Sequence, residues 1–138
     1  MSAKYSIILV EDHKPTAKEF TDYFAQSPDF EIIAVLEGET LAWDLILRKP
    51  PSVLIVDLAL ADGDGLPLIR DVLSDKYLPF RPYTIAITAV PTKAVRDTVL
   101  KLGADCLFGK ENPNFSPELI ADHLDGKKDI LPLGQVLA

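Results

Sequence analysis

The sequence predicts an α/β domain whose doubly wound parallel sheet is covered by helices on both faces. Short apolar runs alternate five times with segments of helical spacing, and these runs are nearly continuously apolar rather than alternating. Strands buried on both faces have this pattern because they have no solvated side to carry polar residues. The length of 138 residues suits one such domain with a full apolar core.

Five apolar runs have the length of strands, and we predict strands at residues 7–10, 32–36, 53–56, 84–87 and 106–108. Each run is followed by apolar residues at helical spacing, which predicts one helix after each strand. These helical positions are Ala17, Phe20 and Phe24; Leu41 and Leu45; Ile69, Val72 and Leu73; Val95, Val99 and Leu102; and Ile120 with Leu124.

Residues at the expected helix ends agree with this order. Pro15 opens the first helix, and Pro50 with Pro51 ends the second. Gly103 lies where a C-cap is expected after the fourth helix, and Ser116 supplies an N-cap for the fifth.

The pattern of strands and helices fades after Gly126. We therefore expect one domain over residues 1–126 and a tail or linker over residues 127–138. Five strand–helix units with right-handed crossovers put ligands beyond the carboxyl ends of the strands, so those ends are where function is expected.

Composition and charge exclude several classes of function. The formal net charge is −7, whereas a general binder of phosphate backbones needs a basic surface, so we expect no direct nucleic-acid binding. The single cysteine, Cys106, excludes an internal disulfide framework and zinc sites of the CxxC type. Neither a membrane span nor a signal-peptide layout is evident, so we expect a soluble, cytoplasmic protein without a membrane partner.

Polar residues stand at the carboxyl ends of four predicted strands. Glu11 and Asp12 follow the first strand, Asp57 closes the third, Thr88 closes the fourth, and Lys110 lies just past the fifth. Three carboxylates at one edge repel one another unless a cation neutralises them. Mg²⁺ is the first candidate, because it takes one or two carboxylates and fills its shell with water and phosphate oxygens.

The remaining two side chains suit a phosphoryl group. Thr88 can donate a hydrogen bond, and Lys110 offers a compact positive charge to a phosphate oxygen or to Asp57. The Asp57 carboxylate is a competent nucleophile toward phosphorus, and this transfer needs mainly positioning and charge neutralisation. The residues therefore predict an aspartyl phosphate on Asp57.

Taken in order, four segments resemble the receiver domains of two-component response regulators over about residues 5–125. The segments are Ile-Leu-Val-Glu11-Asp12, Val-Leu-Ile-Val-Asp57 with Asp64-Gly65 after it, Ile-Ala-Ile-Thr88-Ala, and Gly103-Ala104-Asp105 ahead of Lys110. The resemblance implies a flavodoxin-like fold with five parallel strands in the order 2-1-3-4-5 and five helices, in three α/β/α layers.

The resemblance also implies roles for the residues at the strand ends. Asp57 would accept a phosphoryl group from a sensor histidine kinase or a histidine phosphotransfer protein. Thr88 would move toward the phosphate, and Lys110 would bind it. The implied Mg²⁺ ligands are Glu11, Asp12, Asp57 and the backbone carbonyl of Ala59.

Phosphorylation in this family reorganises one surface, which here corresponds to about residues 92–102, 106–108 and 116–124. That surface of the fourth helix, fifth strand and fifth helix is where the resemblance implies contact with a downstream effector or a fused output domain. It is also where many receivers form homodimers when loaded.

Leu107 and Glu111 depart from the family pattern. Leu107 stands where an aromatic side chain commonly rotates inward, and Phe108 follows it on the opposite face of the strand. An aromatic switch coupled to Thr88 is therefore not expected. Glu111 replaces the proline that usually follows the lysine.

Two other positions bear on the lifetime of the phosphoryl form. Ala59 lies two residues after Asp57, and Val90 lies two residues after Thr88. Neither side chain can hydrogen-bond an attacking water, so we expect slow self-hydrolysis.

Three alternatives stay open at this point. A degenerate receiver could bind a partner constitutively, which Leu107 and Glu111 favour and the intact acidic set opposes. A phosphatase with an aspartate nucleophile usually needs a second Asp two residues later, where this chain has Ala59. A flavin site would need phosphate-cradling Ser, Thr and Gly residues that the first loop lacks. We expect a self-phosphorylating switch without substrate turnover.

Overall fold

The computed structural model describes residues 5–60, 63–74, 78 and 80–127. The five long strands are β1 (Tyr5–Val10), β2 (Phe30–Leu36), β3 (Val53–Asp57), β4 (Tyr83–Thr88) and β5 (Cys106–Gly109). The helices are α1 (Lys14–Phe24), α2 (Glu39–Arg48), α3 (Leu66–Ser74), α4 (Lys93–Lys101) and α5 (Pro117–Asp125). Each predicted strand and helix is confirmed. Within these described residues, no helix combines the length and apolar character that crossing a membrane requires.

Over the described ranges, the long strands form one parallel sheet in the order β2-β1-β3-β4-β5. This order confirms the flavodoxin-like arrangement. A feature that the sequence analysis missed lies between β3 and α3, where the two-residue strands Ala59–Leu60 and Gly63–Asp64 form a small antiparallel pair. The predicted tail over residues 127–138 lies outside the described residues except for Lys127.

The centre of the sheet is buried on both faces. Every residue of β3 and β4 is buried, and so is every residue of β1 after Tyr5. Ile7 and Leu9 enter one cluster of buried side chains with residues of α1 and α5, whereas Ile8 and Val10 enter a second cluster with residues of α2, α3 and α4. The molecule therefore has the three layers that were predicted.

The two edge strands depart from the predicted continuous burial. Phe30 is the one buried residue of β2, and Leu107 is the one buried residue of β5. An edge strand has a neighbouring strand on one side only, so its side chains keep part of their contact with solvent. An apolar run alone does not distinguish a central strand from an edge strand.

One predicted core position in α2 is wrong. Leu41 is 67% exposed, and the helix buries Ala42 and Ile46 instead. Successive residues of an α-helix are rotated by roughly 100° from one another, so a shift of one position moves the apolar face away from Leu41. Leu45 is partly buried against the second cluster, as its spacing predicted.

The predicted helix ends are confirmed at α4 and α5. The Ser116 hydroxyl accepts a hydrogen bond from the Leu119 backbone at 3.2 Å and caps α5. Gly103 follows the C-cap of α4 with a φ of +102°, a left-handed conformation that favours glycine. α1 begins one residue before Pro15, and its N-cap is His13.

His123 on α5 contacts side chains of β4 and β5. The ring is half-buried, and its Nε2 lies 2.7 Å from the Tyr83 hydroxyl and 3.5 Å from Cys106 Sγ. The Phe108 ring packs edge-on against it, with 5.4 Å between the ring centroids. Burial lowers the pKa of His123 and raises the pKa of Cys106 to about 11, so both side chains are uncharged at neutral pH.

Two buried serines join the amino-terminal ends of β1 and β3. The Ser6 N–H donates to Ser52 Oγ at 3.1 Å, and the Ser52 N–H donates to Ser6 Oγ at 2.9 Å. The Ser52 carbonyl also accepts from the Tyr83 N–H at 3.0 Å, at the start of β4. The serine pair thus satisfies buried backbone donors at the end of the sheet opposite to the acidic residues.

Ser52→Ala leaves the buried Ser6 amide without its acceptor, so we expect a loss of about 1–3 kcal/mol in the free energy of unfolding. Urea unfolding followed by circular dichroism measures this loss. Ser74→Ala on the exposed surface of α3 is the matched control, expected to stay within about 0.5 kcal/mol of the parent chain. Equal effects of the two substitutions would show that the buried pair has no special role.

Candidate functional site: an acidic cluster at the strand ends

The register of the sheet brings the predicted residues to one edge. Val10 pairs with Val56, Asp57 pairs with Ile87, and Thr88 pairs with Gly109. Glu11 and Lys110 each directly follow a paired residue, so they lie at the same carboxyl edge as Asp57. The Lys110 N–H donates to the Thr88 carbonyl at 2.7 Å, which fixes the chain leaving β5 against the end of β4.

Lys110 pairs with two buried carboxylates. Its Nζ lies 2.6 Å from Asp57 Oδ2 and 2.6 Å from Glu11 Oε1. The Asp57 residue is 4% exposed and Glu11 is 1% exposed, so both charges are held largely out of water. Asp57, Glu11 and Lys110 therefore meet as predicted.

Burial and the neighbouring charges shift the pKa values of all three groups. Burial, and after it the adjacent Asp57, raise the pKa of Glu11 from 4.5 to about 7 against the opposing effect of Lys110. Burial alone would raise the pKa of Asp57, but hydrogen bonds from Glu11, Lys110 and the Ala59 N–H lower it below its usual value. Burial alone would lower the pKa of Lys110, yet the two carboxylates raise it. Asp57 is therefore the ionised member of the carboxylate pair at neutral pH.

The loop after Asp57 folds back tightly on β3. The Ala59 N–H donates to Asp57 Oδ1 at 3.0 Å, and the Gly65 N–H donates to the Leu58 carbonyl at 2.9 Å. A Cβ atom on Gly65 would lie 2.5 Å from the Asp57 carbonyl oxygen and 2.8 Å from Val56 Cγ1. Only glycine can come this close to the backbone of β3, so Gly65 is needed to shape the loop after Asp57. The Asp64-Gly65 motif drew attention to this residue, but its close packing is visible only in the structure.

Thr88 lies at the same edge and is 7% exposed. Its Oγ1 accepts a hydrogen bond from the Val90 N–H at 3.1 Å. The hydroxyl can still donate its own hydrogen, which is the role predicted for Thr88 toward a phosphoryl group.

The three acidic side chains can hold a metal ion together. One oxygen from each of Glu11, Asp12 and Asp57 lies within 4.8 Å of the other two. One of these oxygens, Glu11 Oε1, is also paired with Lys110 Nζ at 2.6 Å. Three carboxylate oxygens this close together fit a hard divalent cation such as Mg²⁺.

An open groove of about 650 Å³ leads to Asp57 and Lys110. Asp12, Ala59 and Ala89 line it, as expected of neighbours of the acidic cluster. Four other lining residues were not predicted from the sequence. They lie in the turn before α1, in α1 and in the loop before α5, which only the fold brings to this edge. They are His13, Thr16, Glu19 and Phe115.

A family model described as the response regulator receiver domain matches residues 7–122 of this chain. The chain belongs to this family. Receiver domains are generally phosphoacceptor signalling modules rather than enzymes that turn over a substrate.

Solved structures of other receivers have a similar fold. The signal receiver domain of the putative response regulator NarL from Mycobacterium tuberculosis has a TM-score of 0.76 and 18% identity, covering 91% of this chain and 99% of that chain. The Mn²⁺-bound form of the response regulator Rcp1 has a TM-score of 0.76 and 19% identity, covering 94% and 98%. The phosphorylated cyanobacterial phytochrome response regulator RcpA has a TM-score of 0.71 and 20% identity, covering 90% and 91%.

In this receiver, Leu107 stands where the family commonly has an aromatic residue, and Phe108 lies on the opposite face of β5. Leu107 is 7% exposed and packs in the second cluster with Val99 and Ala104, whereas Phe108 packs against the first cluster and His123. The predicted placement of Leu107 and Phe108 on opposite faces of the strand is therefore confirmed.

Glu11 gives the metal-free receiver a specific pH dependence. Because its pKa is raised from 4.5 to about 7 on folding, the folded state binds a proton more tightly than the unfolded state, so stability is lost as the pH rises through this window. In EDTA, we expect the free energy of unfolding to fall by about 1–3 kcal/mol between pH 5 and pH 8 relative to Glu11→Gln.

Urea titrations of both proteins at several pH values measure this difference. The shift of His123 acts in the opposite direction but is common to both proteins, so it cancels in the comparison. Parallel pH curves for the parent chain and Glu11→Gln would contradict the raised pKa.

Proposed function

We propose that this receiver is a phosphorylation-controlled switch in a two-component or phosphorelay system, with Asp57 as the phosphoacceptor. The observation that carries the proposal is the ion pair of Lys110 with Asp57 at the rim of an open groove, where Glu11 and Asp12 add two more carboxylates. Aspartyl phosphorylation needs in-line access, charge neutralisation and little else, and this site supplies each of them.

The proposed reaction forms a bond between one Asp57 carboxylate oxygen and phosphorus. The bond from phosphorus to the donor's leaving group breaks, and the leaving group departs with the electron pair. Lys110 keeps its positive charge and binds a phosphoryl oxygen, while Thr88 donates its hydroxyl hydrogen to another. The low pKa of Asp57 keeps the nucleophile ionised at neutral pH.

Mg²⁺ is the proposed cofactor, and it would supply neutralisation of the charge on the transferred phosphoryl group. The ligands we propose are Glu11, Asp12, Asp57 and the backbone carbonyl of Ala59. The grouping of the three carboxylates supports the first three. The position of Ala59 in the groove, two residues after Asp57, supports the fourth.

The proposed phosphodonor is a sensor histidine kinase or a histidine phosphotransfer protein in the cytoplasm. The domain proposed for this role covers residues 1–126, with residues 127–138 as its tail or linker. The net charge of −7 supports a protein partner rather than direct contact with nucleic acid.

The proposed output surface comprises α4, β5 and α5. The backbone bond from Lys110 to Thr88 ties β5 to the phosphoacceptor edge, and the Asp105 carboxylate ties the start of β5 to the Thr84 N–H at 2.8 Å. A protein effector, a fused output domain or a second loaded copy would bind here. Because Leu107 is aliphatic, the proposed signal is repacking of this surface rather than rotation of an aromatic ring.

A constitutive interaction module is the second candidate, and the aliphatic Leu107 is the observation that favours it. A phosphatase is less suited to the site, because Ala59 has no acid or base where that chemistry uses a second aspartate.

Incubating the parent chain with Mg²⁺ and acetyl phosphate should add one phosphoryl group to Asp57. Intact-mass spectrometry measures the adduct, which should disappear in Asp57→Asn and in EDTA because the nucleophile or the cation is missing. Asp44→Asn on the exposed face of α2 is the matched control and should keep the adduct. No adduct on the parent chain would favour the constitutive module.

The phosphoryl group should persist for minutes or longer in Mg²⁺ without a phosphatase. Ala59 and Val90 offer no side-chain group to orient the attacking water, although Val90 is 60% exposed at the site. Val90→Gln adds an amide that can hold a water and should shorten the half-life, whereas Val90→Leu should not. Loss within seconds from the parent chain, followed by mass spectrometry after removal of the donor, would contradict this expectation.

A further inference from the structure

His13 lies next to the acidic cluster with its ring held in one orientation. It is the N-cap of α1, and its Nδ1 accepts from the Thr16 N–H at 3.4 Å and lies 2.7 Å from Thr16 Oγ1. The His13 N–H donates to Glu11 Oε2 at 3.2 Å, so the backbone of the same residue fixes one of the three carboxylates.

The hydrogen bond at Nδ1 determines whether the other ring nitrogen, Nε2, carries a hydrogen. Because Nδ1 accepts the hydrogen bond from the Thr16 N–H in the first turn of α1, Nε2 carries the hydrogen of the neutral ring. The residue is exposed and lines the same groove as Asp57 and Lys110. His13 therefore brings a side-chain N–H donor to the solvent-facing rim of the phosphoacceptor site.

We propose that His13 is a specificity-determining residue that donates a hydrogen bond to the leaving group of the phosphodonor and favours acyl phosphates. This inference rests on the proposed function of Asp57. Lys110, Thr88 and the acidic cluster account for the transferred phosphoryl oxygens at the buried end of the groove. The leaving group then extends toward the exposed rim, where His13 lies.

The chemistry of the leaving group determines which donors benefit. When Asp57 attacks an acyl phosphate, the bond between phosphorus and the acyl oxygen breaks, and a carboxylate departs with the electron pair. Negative charge therefore grows on an oxygen that accepts the Nε2 hydrogen bond, so the bond strengthens toward the transition state. Phosphoramidate, protonated on its nitrogen, loses neutral ammonia, so no negative charge grows on its leaving group.

The experiment compares the second-order rates of Asp57 phosphorylation by acetyl phosphate and by phosphoramidate. His13→Ser keeps a side-chain cap for α1 but removes the ring donor. We expect it to lower the rate with acetyl phosphate about five-fold, the factor for one hydrogen bond, and to leave the rate with phosphoramidate within about two-fold. His13→Gln restores an N–H donor and should recover the ratio, and Thr21→Ser on the same helix is the matched control.

Each outcome of this comparison either supports the proposed role of His13 or overturns it. A fall in the rate ratio that His13→Gln restores, with unchanged Mg²⁺ affinity and melting temperature, supports it. An equal fall with both donors, or a fall that tracks the melting temperature, shows that His13 acts only as a helix cap and overturns it. Unchanged rates also overturn it while leaving the role of Asp57 intact. A parent chain that takes phosphate from neither donor overturns the proposed function and the inference together.

Discussion

The charge balance around Lys110 is the constraint on which the rest of the site depends. One ammonium lies 2.6 Å from a carboxylate oxygen of Asp57 and 2.6 Å from one of Glu11, both in a buried setting, and Asp12 adds a third carboxylate within 4.8 Å. A buried pair of like charges is costly, and one lysine offsets only part of it. Burial first, and the neighbouring Asp57 second, raise the pKa of Glu11 against the effect of Lys110. A divalent cation and a phosphoryl group would together complete the balance.

The hydrophobic sheet makes this imbalance tolerable. β1, β3 and β4 are buried along almost their whole length, and their pairing fixes the strand ends relative to one another. The tight approach of Gly65 to the Asp57 carbonyl and the bond from the Lys110 N–H to the Thr88 carbonyl add two local constraints. The acidic side chains are therefore positioned by apolar packing before any ligand binds, which reduces the cost of ordering them at the moment of phosphorylation.

The central strands and the acidic residues could be predicted from the sequence because each depends on a local pattern. Buried parallel strands produce continuous apolar runs, and the carboxyl ends of such strands meet at one edge whatever the details of the helices. Predictions failed where the outcome depends on contacts between distant segments. The exposure of Leu41 is an example, because the rotation of α2 about its axis decides it. The burial of His123 depends on the approach of Tyr83 and Cys106 to α5, so no local pattern predicts it. The capping role of His13 was missed because a histidine is an uncommon N-cap and its ring contacts depend on the turn that follows.

Anomalous diffraction from crystals soaked in Mn²⁺ would test whether the strand ends share a cation. We expect one anomalous peak in direct contact with carboxylate oxygens of Asp12 and Asp57, and its loss in Asp12→Asn crystals soaked in the same way. A peak elsewhere on the molecule, or a peak that survives unchanged in Asp12→Asn, would contradict this expectation.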